Sequence, residues 1–278
     1  MTPRQARRLG RAKETGGWLT VMPNSLNGTE LTAEEFRDSL RLRMGLTPSA
    51  LPEKCDGCGN HFSVEHALAC KKGGLVLLCH NDMVAEWHEM CANALTPSAI
   101  SDEPLIHNGR VAGGTNGNGA QQAGVQPGDR EHRAMRGDVA AHGFWRRATT
   151  AIFDVRITDT DAPSYRGQDP TKILARHEKE KKDKYLDACV ERRRQFTPLV
   201  YSVDGLLGEE ARAASKRLAS LLANKWKRAY SEVCGYVLSR QALALVRATS
   251  LCLRGTRDPT DRRHRPIWEC GTGLGLYR

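Results

Sequence analysis

The stretch Thr149-Thr150-Ala151-Ile152-Phe153-Asp154-Val155-Arg156-Ile157 decides how this chain reads. It is dense in β-branched residues, which suit a pleated, half-buried surface, so it predicts a strand. One residue breaks the pattern, because Asp154 stands between Phe153 and Val155. A carboxylate is a poor strand former and costly to bury alone, so a metal ion or a cationic side chain is its natural compensation. Just before it, Asp138-Val139-Ala140 reads as a second strand, and Ala99 to Ile106 as a shorter one earlier still.

Helices are expected around these strands. From His80 to Leu95 the residues Met83, Val84, Trp87, Met90, Cys91 and Ala94 recur at helical spacing, and Thr96-Pro97 closes the element. Lys172 to Arg194 reads as a long charged helix, Phe196 to Val203 as a buried strand, and Glu209 to Tyr230 and Val237 to Leu253 as amphipathic helices. Near the start, Thr32 caps a short helix with Glu35 three residues on and Phe36, Leu40 and Leu42 as apolar positions. Gly109 to Asp129 is rich in Gly, Asn and Gln, so it is expected to be a flexible insertion loop inside the domain. The expected fold is therefore α/β in the mixed α+β sense, one core of helix, three strands, helix, strand and terminal helices.

Charge restricts the partners. The chain of 278 residues carries 42 Lys and Arg against 32 Asp and Glu, a net charge of +10 with a pI near 9.3. That balance favours a polyanionic partner, nucleic acid or an anionic membrane surface. No apolar run is long enough to span a bilayer, and the Arg-rich segment from Met1 to Gly17 has no apolar core, so an intracellular protein is expected.

Nine cysteines, an odd number in a chain without an export signal, argue for metal binding or free thiols over disulfides. Cys55-x2-Cys58-x7-His66-x3-Cys70 can converge four soft ligands on one zinc ion. Asp56-Gly57 turns between the first two thiols, and His66 and Cys70 lie four apart, on one face of a helical turn. With four protein ligands such a site is structural. His61 and the Cys79-His80 pair compete as ligands, and Cys91, Cys189, Cys234, Cys252 and Cys270 read as small buried hydrophobes.

A second constellation joins Asp138 and Asp154 to Lys181 and Lys184. Two carboxylates on neighbouring strands can hold Mg²⁺, and a nearby lysine can orient water and neutralise charge building on a phosphate. The competing reading pairs Asp154 with Arg156, Arg146 or Arg147 and leaves both lysines on a solvated helix face. Glu86 and Glu89 offer a third carboxylate or a surface role.

These residues resemble a family. Trp18-Leu19-Thr20, Phe36-Arg37-Asp38, Cys55 to Cys70, Lys72-Gly73-Gly74, Glu103-Pro104-Leu105-Ile106, Arg136-Gly137-Asp138, Gly143-Phe144-Trp145, Phe153-Asp154-Val155-Arg156, Lys181-Lys182-Asp183-Lys184-Tyr185 and Phe196-Thr197-Pro198-Leu199-Val200 look like the region after the polymerase in non-LTR retrotransposons that carry a restriction-like endonuclease. The resemblance covers roughly residues 15–257. It implies a restriction-endonuclease-like core, a mixed sheet flanked by helices and preceded by a zinc knuckle. In that core Asp138 and Asp154 would be the two acids of a PD-(D/E)xK site, Lys181 or Lys184 the basic residue, and Val155 a source of a backbone carbonyl. The sequence departs from the pattern at Gly137, where Pro is usual, at Arg156, where Lys is usual, and at Cys79, where Arg is expected.

The resemblance further implies residues 1–54 as a helical linker after a missing polymerase domain, 55–78 as the knuckle, 79–257 as the nuclease core and 258–278 as a basic tail. The implied function is Mg²⁺-dependent nicking of target DNA to prime reverse transcription, in the nucleus if active, with DNA as the partner and element RNA as a second candidate. The other reading is an inactive nucleic-acid-binding remnant. Arg192, Arg193, Arg194, Arg254 and Arg257, with Arg262, Arg263 and Arg265 in the tail, are the expected phosphate contacts.

Overall fold

In the computed structural model, which describes residues 1, 3–107 and 134–258, the chain forms seven helices and six strands among the described residues. The helices are α1 Pro3–Arg11, α2 Ala33–Arg43, α3 Val64–Ala69, α4 Leu75–Ala94, α5 Pro170–Glu191, α6 Glu209–Trp226 and α7 Tyr230–Arg254. The strands are β1 Ile100–Asp102, β2 Leu105–His107, β3 Met135–Arg136, β4 Val139–His142, β5 Thr150–Thr158 and β6 Gln195–Ser202. The loop expected at 109–129 and the tail arginines Arg262, Arg263 and Arg265 lie outside the described residues.

The fold is the mixed α/β one expected, in the expected order of helix, three sheet strands, helix, strand and terminal helices. One four-stranded sheet runs β1-β4-β5-β6. β4 pairs antiparallel with β1 and β5, with Val139 opposite Phe153, while β6 runs parallel to β5 and sets Pro198 opposite Asp154. A parallel neighbour needs a long crossover, and α5 supplies it. Pro198 is tolerated because β6 is an edge strand. β2 and β3 form a separate two-stranded ribbon.

β5 is buried from Ala151 to Val155, and its alternation sorts side chains between two layers. Phe153 and Val155 join the main core with Trp87, Tyr201, Leu218 and Val237. Trp87 stacks on Phe153 at 5.5 Å and donates to the Tyr201 hydroxyl at 2.6 Å, so α4 is locked to the sheet by packing and by a satisfied buried polar pair. Ile152 faces the other way, packing with Ile106, Ala140, Tyr185 of α5 and Phe196. By the same alternation Asp154 belongs to the α5 face.

Local expectations hold with informed exceptions. Thr32 and Glu35 form the reciprocal capping box at α2. α4 starts at Leu75, five residues before the expected His80, because Gly74 at φ 71° turns the chain and Leu75 and Cys79 bury against Ala248 and Cys252. The strand expected over 99–106 breaks at Glu103, whose φ is 44°, and Pro104, leaving β1 and β2 in different sheets. α6 ends at Trp226, with Lys227 in the left-handed region, and α7 begins at Tyr230. Gly137 has a steric reason: a Cβ there would lie 2.5 Å from Ile152 Cγ2, and its amide donates to Pro104 O at 3.1 Å, a bond proline could not make.

Candidate functional site

The cysteine cluster is assembled by local structure. Asp56-Gly57 and Gly59, at φ 74°, fold the chain back so that the Cys55 amide bonds Asn60 O at 2.8 Å and the Gly59 amide bonds Cys55 O at 2.8 Å. Ser63 caps α3, which presents His66, and Cys70 follows as its C-cap. The ligand atoms of Cys55, Cys58, His66 and Cys70 all lie within 4.8 Å of one another. Cys70 Sγ is 3.9 Å from both Cys55 Sγ and Cys58 Sγ, and Cys58 Sγ is 3.4 Å from His66 Nε2. A tetrahedral ion with bonds of about 2.3 Å to sulfur would need edges of about 3.8 Å, so this group could hold zinc without rearrangement. Burial raises the Cys55 thiol, but hydrogen bonds from His66 and the Gly57 and Cys58 backbone outweigh it and bring it down to about 6, favouring the thiolate a metal binds.

Neither competing ligand joins the cluster. His61 pairs its backbone with Lys54, and Cys79 points from α4 into the α7 interface, 3.3 Å from Cys252 Sγ. Arg257 is instead the brace of the knuckle: it is 2% exposed, donates to Ala67 O and Cys252 O, and lies 5.2 Å from the Phe62 ring centroid. Its amide also reaches Asp56 at 2.6 Å. Gly73, at φ 69°, lets the chain pass this segment, since a Cβ would lie 2.5 Å from the Arg257 backbone. Arg254 likewise holds Asp38 through two hydrogen bonds and donates to Ser49 O and Ala50 O. The expectation that Arg254 and Arg257 face phosphate is corrected, because both guanidiniums are committed to tying α7 to α2 and the knuckle.

Asp138 and Asp154 both sit at β5, one through the Val155 amide and the other within the strand. Asp138 precedes β4, and its Oδ2 accepts the Val155 amide at 2.6 Å while its own amide donates to Phe153 O. His80 of α4 brings Nε2 to 3.3 Å from Asp138 Oδ1. Asp154 is 4% exposed and is paired through Oδ2 with Lys181 Nζ of α5. Burial raises the Asp154 carboxyl above the ordinary carboxylate range; Lys181 opposes this, and the negative charge of Asp138 adds to it. The alternative pairing with Arg156, Arg146 or Arg147 is not what forms, since Lys181 is the cation at Asp154 and Arg156 bonds Glu180 at 2.7 Å.

The remaining candidates sit apart from this centre. Lys184 Nζ donates to the Tyr185 hydroxyl at 2.6 Å and lies over its ring. Glu86 and Glu89 both bind Arg240, Glu86 through two oxygens at 2.7 and 2.9 Å, so neither is a third acidic ligand. Arg192 and Arg193 are exposed at the α5–β6 corner, whereas Arg194 donates to Leu105 O at 2.7 Å. Val155 contributes its amide to Asp138, a role distinct from the carbonyl expected of it. Sequence reasoning missed His80 as a neighbour of Asp138; its position three residues before Met83, on an otherwise core-facing helix, was the available signal.

No protein-family model matches the chain, and no curated protein matches it. Among the described residues, no helix is long and apolar enough to cross a membrane.

Proposed function

We propose that this chain is the Mg²⁺-dependent endonuclease portion of a non-LTR retrotransposon protein, nicking target DNA so that the freed 3′ hydroxyl primes reverse transcription. One observation carries the reading: the buried carboxylate Asp154 of β5 pairs with Lys181 of α5, while Asp138, in the bend before β4, accepts the amide of the next residue, Val155, and has His80 of α4 beside it. Two acidic groups whose charges oppose each other form a donor set for a hard cation. Asp138 and Asp154 would hold Mg²⁺, which when bound supplies Lewis-acid polarisation of a phosphate and an activated water.

The chain's own groups do the rest. The Val155 amide fixes the orientation of Asp138. Lys181, 22% exposed at its side chain, swings between Asp154 and a phosphate oxygen, giving positive charge where negative charge develops. His80, 29% exposed, stands beside Asp138 at the mouth of the site, within reach of an attacking water's proton. Cys55, Cys58, His66 and Cys70 would hold the zinc of the knuckle, whose Leu68 packs against the cluster of Leu75, Cys79, Ala248 and Cys252 at the start of α4, the helix that carries His80.

A second reading, a non-hydrolysing nucleic-acid binder, draws on the same contacts, in which Lys181 and His80 occupy the two carboxylates. Nicking of supercoiled plasmid with added Mg²⁺ separates them. The nuclease reading expects nicking by the wild type, none by Asp154→Asn, and DNA affinity retained in both. Salt-sensitive DNA binding without nicking at any Mg²⁺ concentration supports the binder.

A further inference from the structure

At the far end of α4 from His80, the corner between α6 and α7 carries an unbroken exposed run from Asn224 to Glu232 that includes Lys225, Trp226, Lys227, Arg228 and Tyr230. Two large aromatic rings are open to solvent there, Trp226 at 40% and Tyr230 at 45%. They are held on rigid elements: Trp226 ends α6, Tyr230 begins α7, and Lys227, at φ 58°, closes the turn between them.

The Trp226 ring has an aromatic neighbour, itself anchored. Tyr236 meets it edge-on at 5.4 Å, Arg240 lies over Tyr236 and donates to its hydroxyl, and Glu86 fixes Arg240 through two hydrogen bonds. A ring supported on one edge and open on the other loses less entropy on stacking than a freely rotating one. Three cations flank the rings. Lys225 donates to Leu95 O at the end of α4, Lys227 is exposed, and Arg228 has Glu232 as its acidic neighbour. Exposed aromatic faces interleaved with cations match one ligand chemistry: bases that stack and phosphates that need neutralising, as an unpaired strand offers and a closed duplex does not.

We propose that this corner is a binding platform for single-stranded nucleic acid, with Trp226 and Tyr230 stacking bases and Lys225, Lys227 and Arg228 contacting the backbone. The platform is separate from the carboxylate centre. His80 and Ala94 are both on α4, and at 1.5 Å per residue they lie about 21 Å apart along its axis. A strand leaving the carboxylate centre reaches the corner in about six nucleotides at 3.4 Å each.

The test uses the full chain without added divalent cation, so it is independent of whether the protein nicks DNA. Anisotropy is measured with a labelled oligodeoxythymidylate of about 20 nucleotides, longer than typical single-strand sites, and with a duplex of the same length. Trp226→Ala with Tyr230→Ala is expected to weaken oligodeoxythymidylate binding about tenfold or more, and to leave duplex binding unchanged. Trp226→Phe with Tyr230→Phe should restore the strand affinity, because the stacking faces return. Should the alanine protein fail to fold, indole emission decides the matter: the oligonucleotide quenches the wild type, and Trp226→Phe removes most of that quench. Equal losses on both nucleic acids, no loss on either, or a quench indifferent to Trp226→Phe would overturn the proposal.

Discussion

Lys181 of α5 pairs with Asp154 of β5, and this contact joins the crossover helix to the strand one residue before Val155, whose amide Asp138 accepts. The Asp154 side chain is 6% exposed and that of Lys181 22%, so the carboxylate is confined while the ammonium keeps a path to solvent. Removing one partner therefore differs from removing the other.

Lys181→Ala leaves a buried carboxylate without its cation and is expected to cost about 1–3 kcal/mol, less than a fully buried pair because Lys181 is partly wet. Asp154→Asn removes the charge that burial disfavours and should leave the melting temperature level or higher. Adding Asp154→Asn to Lys181→Ala should recover the lost stability without recovering nicking. Thermal melts of the three variants check this, and a Lys181→Ala protein as stable as wild type would remove the ion pair from the account.

Under the proposed nuclease function, Glu86 and Glu89 are expected to be dispensable, because both are engaged by Arg240. Glu86→Gln and Glu89→Gln should nick plasmid at the wild-type rate, while Arg240→Ala should lose about 3 kcal/mol by stranding Glu86, which is 13% exposed at its side chain. A nicking defect in the glutamine variants without loss of stability would make one of these carboxylates a metal ligand.

Protein purified without chelator should contain one zinc per chain, since the energy of binding at such a site is folding energy. Metal removal is expected to expose the amides of 55–70 to hydrogen exchange and to loosen the segment around Arg257, whose guanidinium donates to Ala67 O. Mass spectrometry of exchange in the presence and absence of a zinc chelator reads both. Protection unchanged by chelation would argue for a knuckle held by packing alone.

His177 of α5 is 1% exposed between the Thr158 hydroxyl and the Tyr165 hydroxyl, each 3.1 Å from a ring nitrogen. Burial, with Arg156 adding repulsion, pushes its pKa down to about 4 from an ordinary 6.5. A depressed folded-state value means the unfolded chain binds the proton first, so the stability from neutral His177 is complete above pH 6.5 and is lost as pH falls toward 4. Denaturant melts across this window should show a slope that His177→Gln flattens. An identical slope in the variant would place the acid sensitivity elsewhere.

The amino-acid sequence by itself determined the features whose causes are local. β5 is legible because its β-branched run tolerates no other conformation as well, and Asp154 is conspicuous there against an apolar background. The zinc set is legible because a turn and one helical step place four donors within sixteen positions, Cys55 to Cys70, a spacing that is local even though Arg257 braces it from outside. Only tertiary structure chose Lys181 over Lys184, for the two lie three residues apart on neighbouring faces of α5, and the register of that helix on β5 decides which one meets Asp154. It likewise turned Arg254 and Arg257 inward to Asp38, Ala67 and Cys252, and brought His80 to Asp138 across 58 positions. Such contacts join groups far apart in the chain, and no local spacing or propensity encodes a meeting that the packing of α4, α5 and α7 on the sheet alone creates.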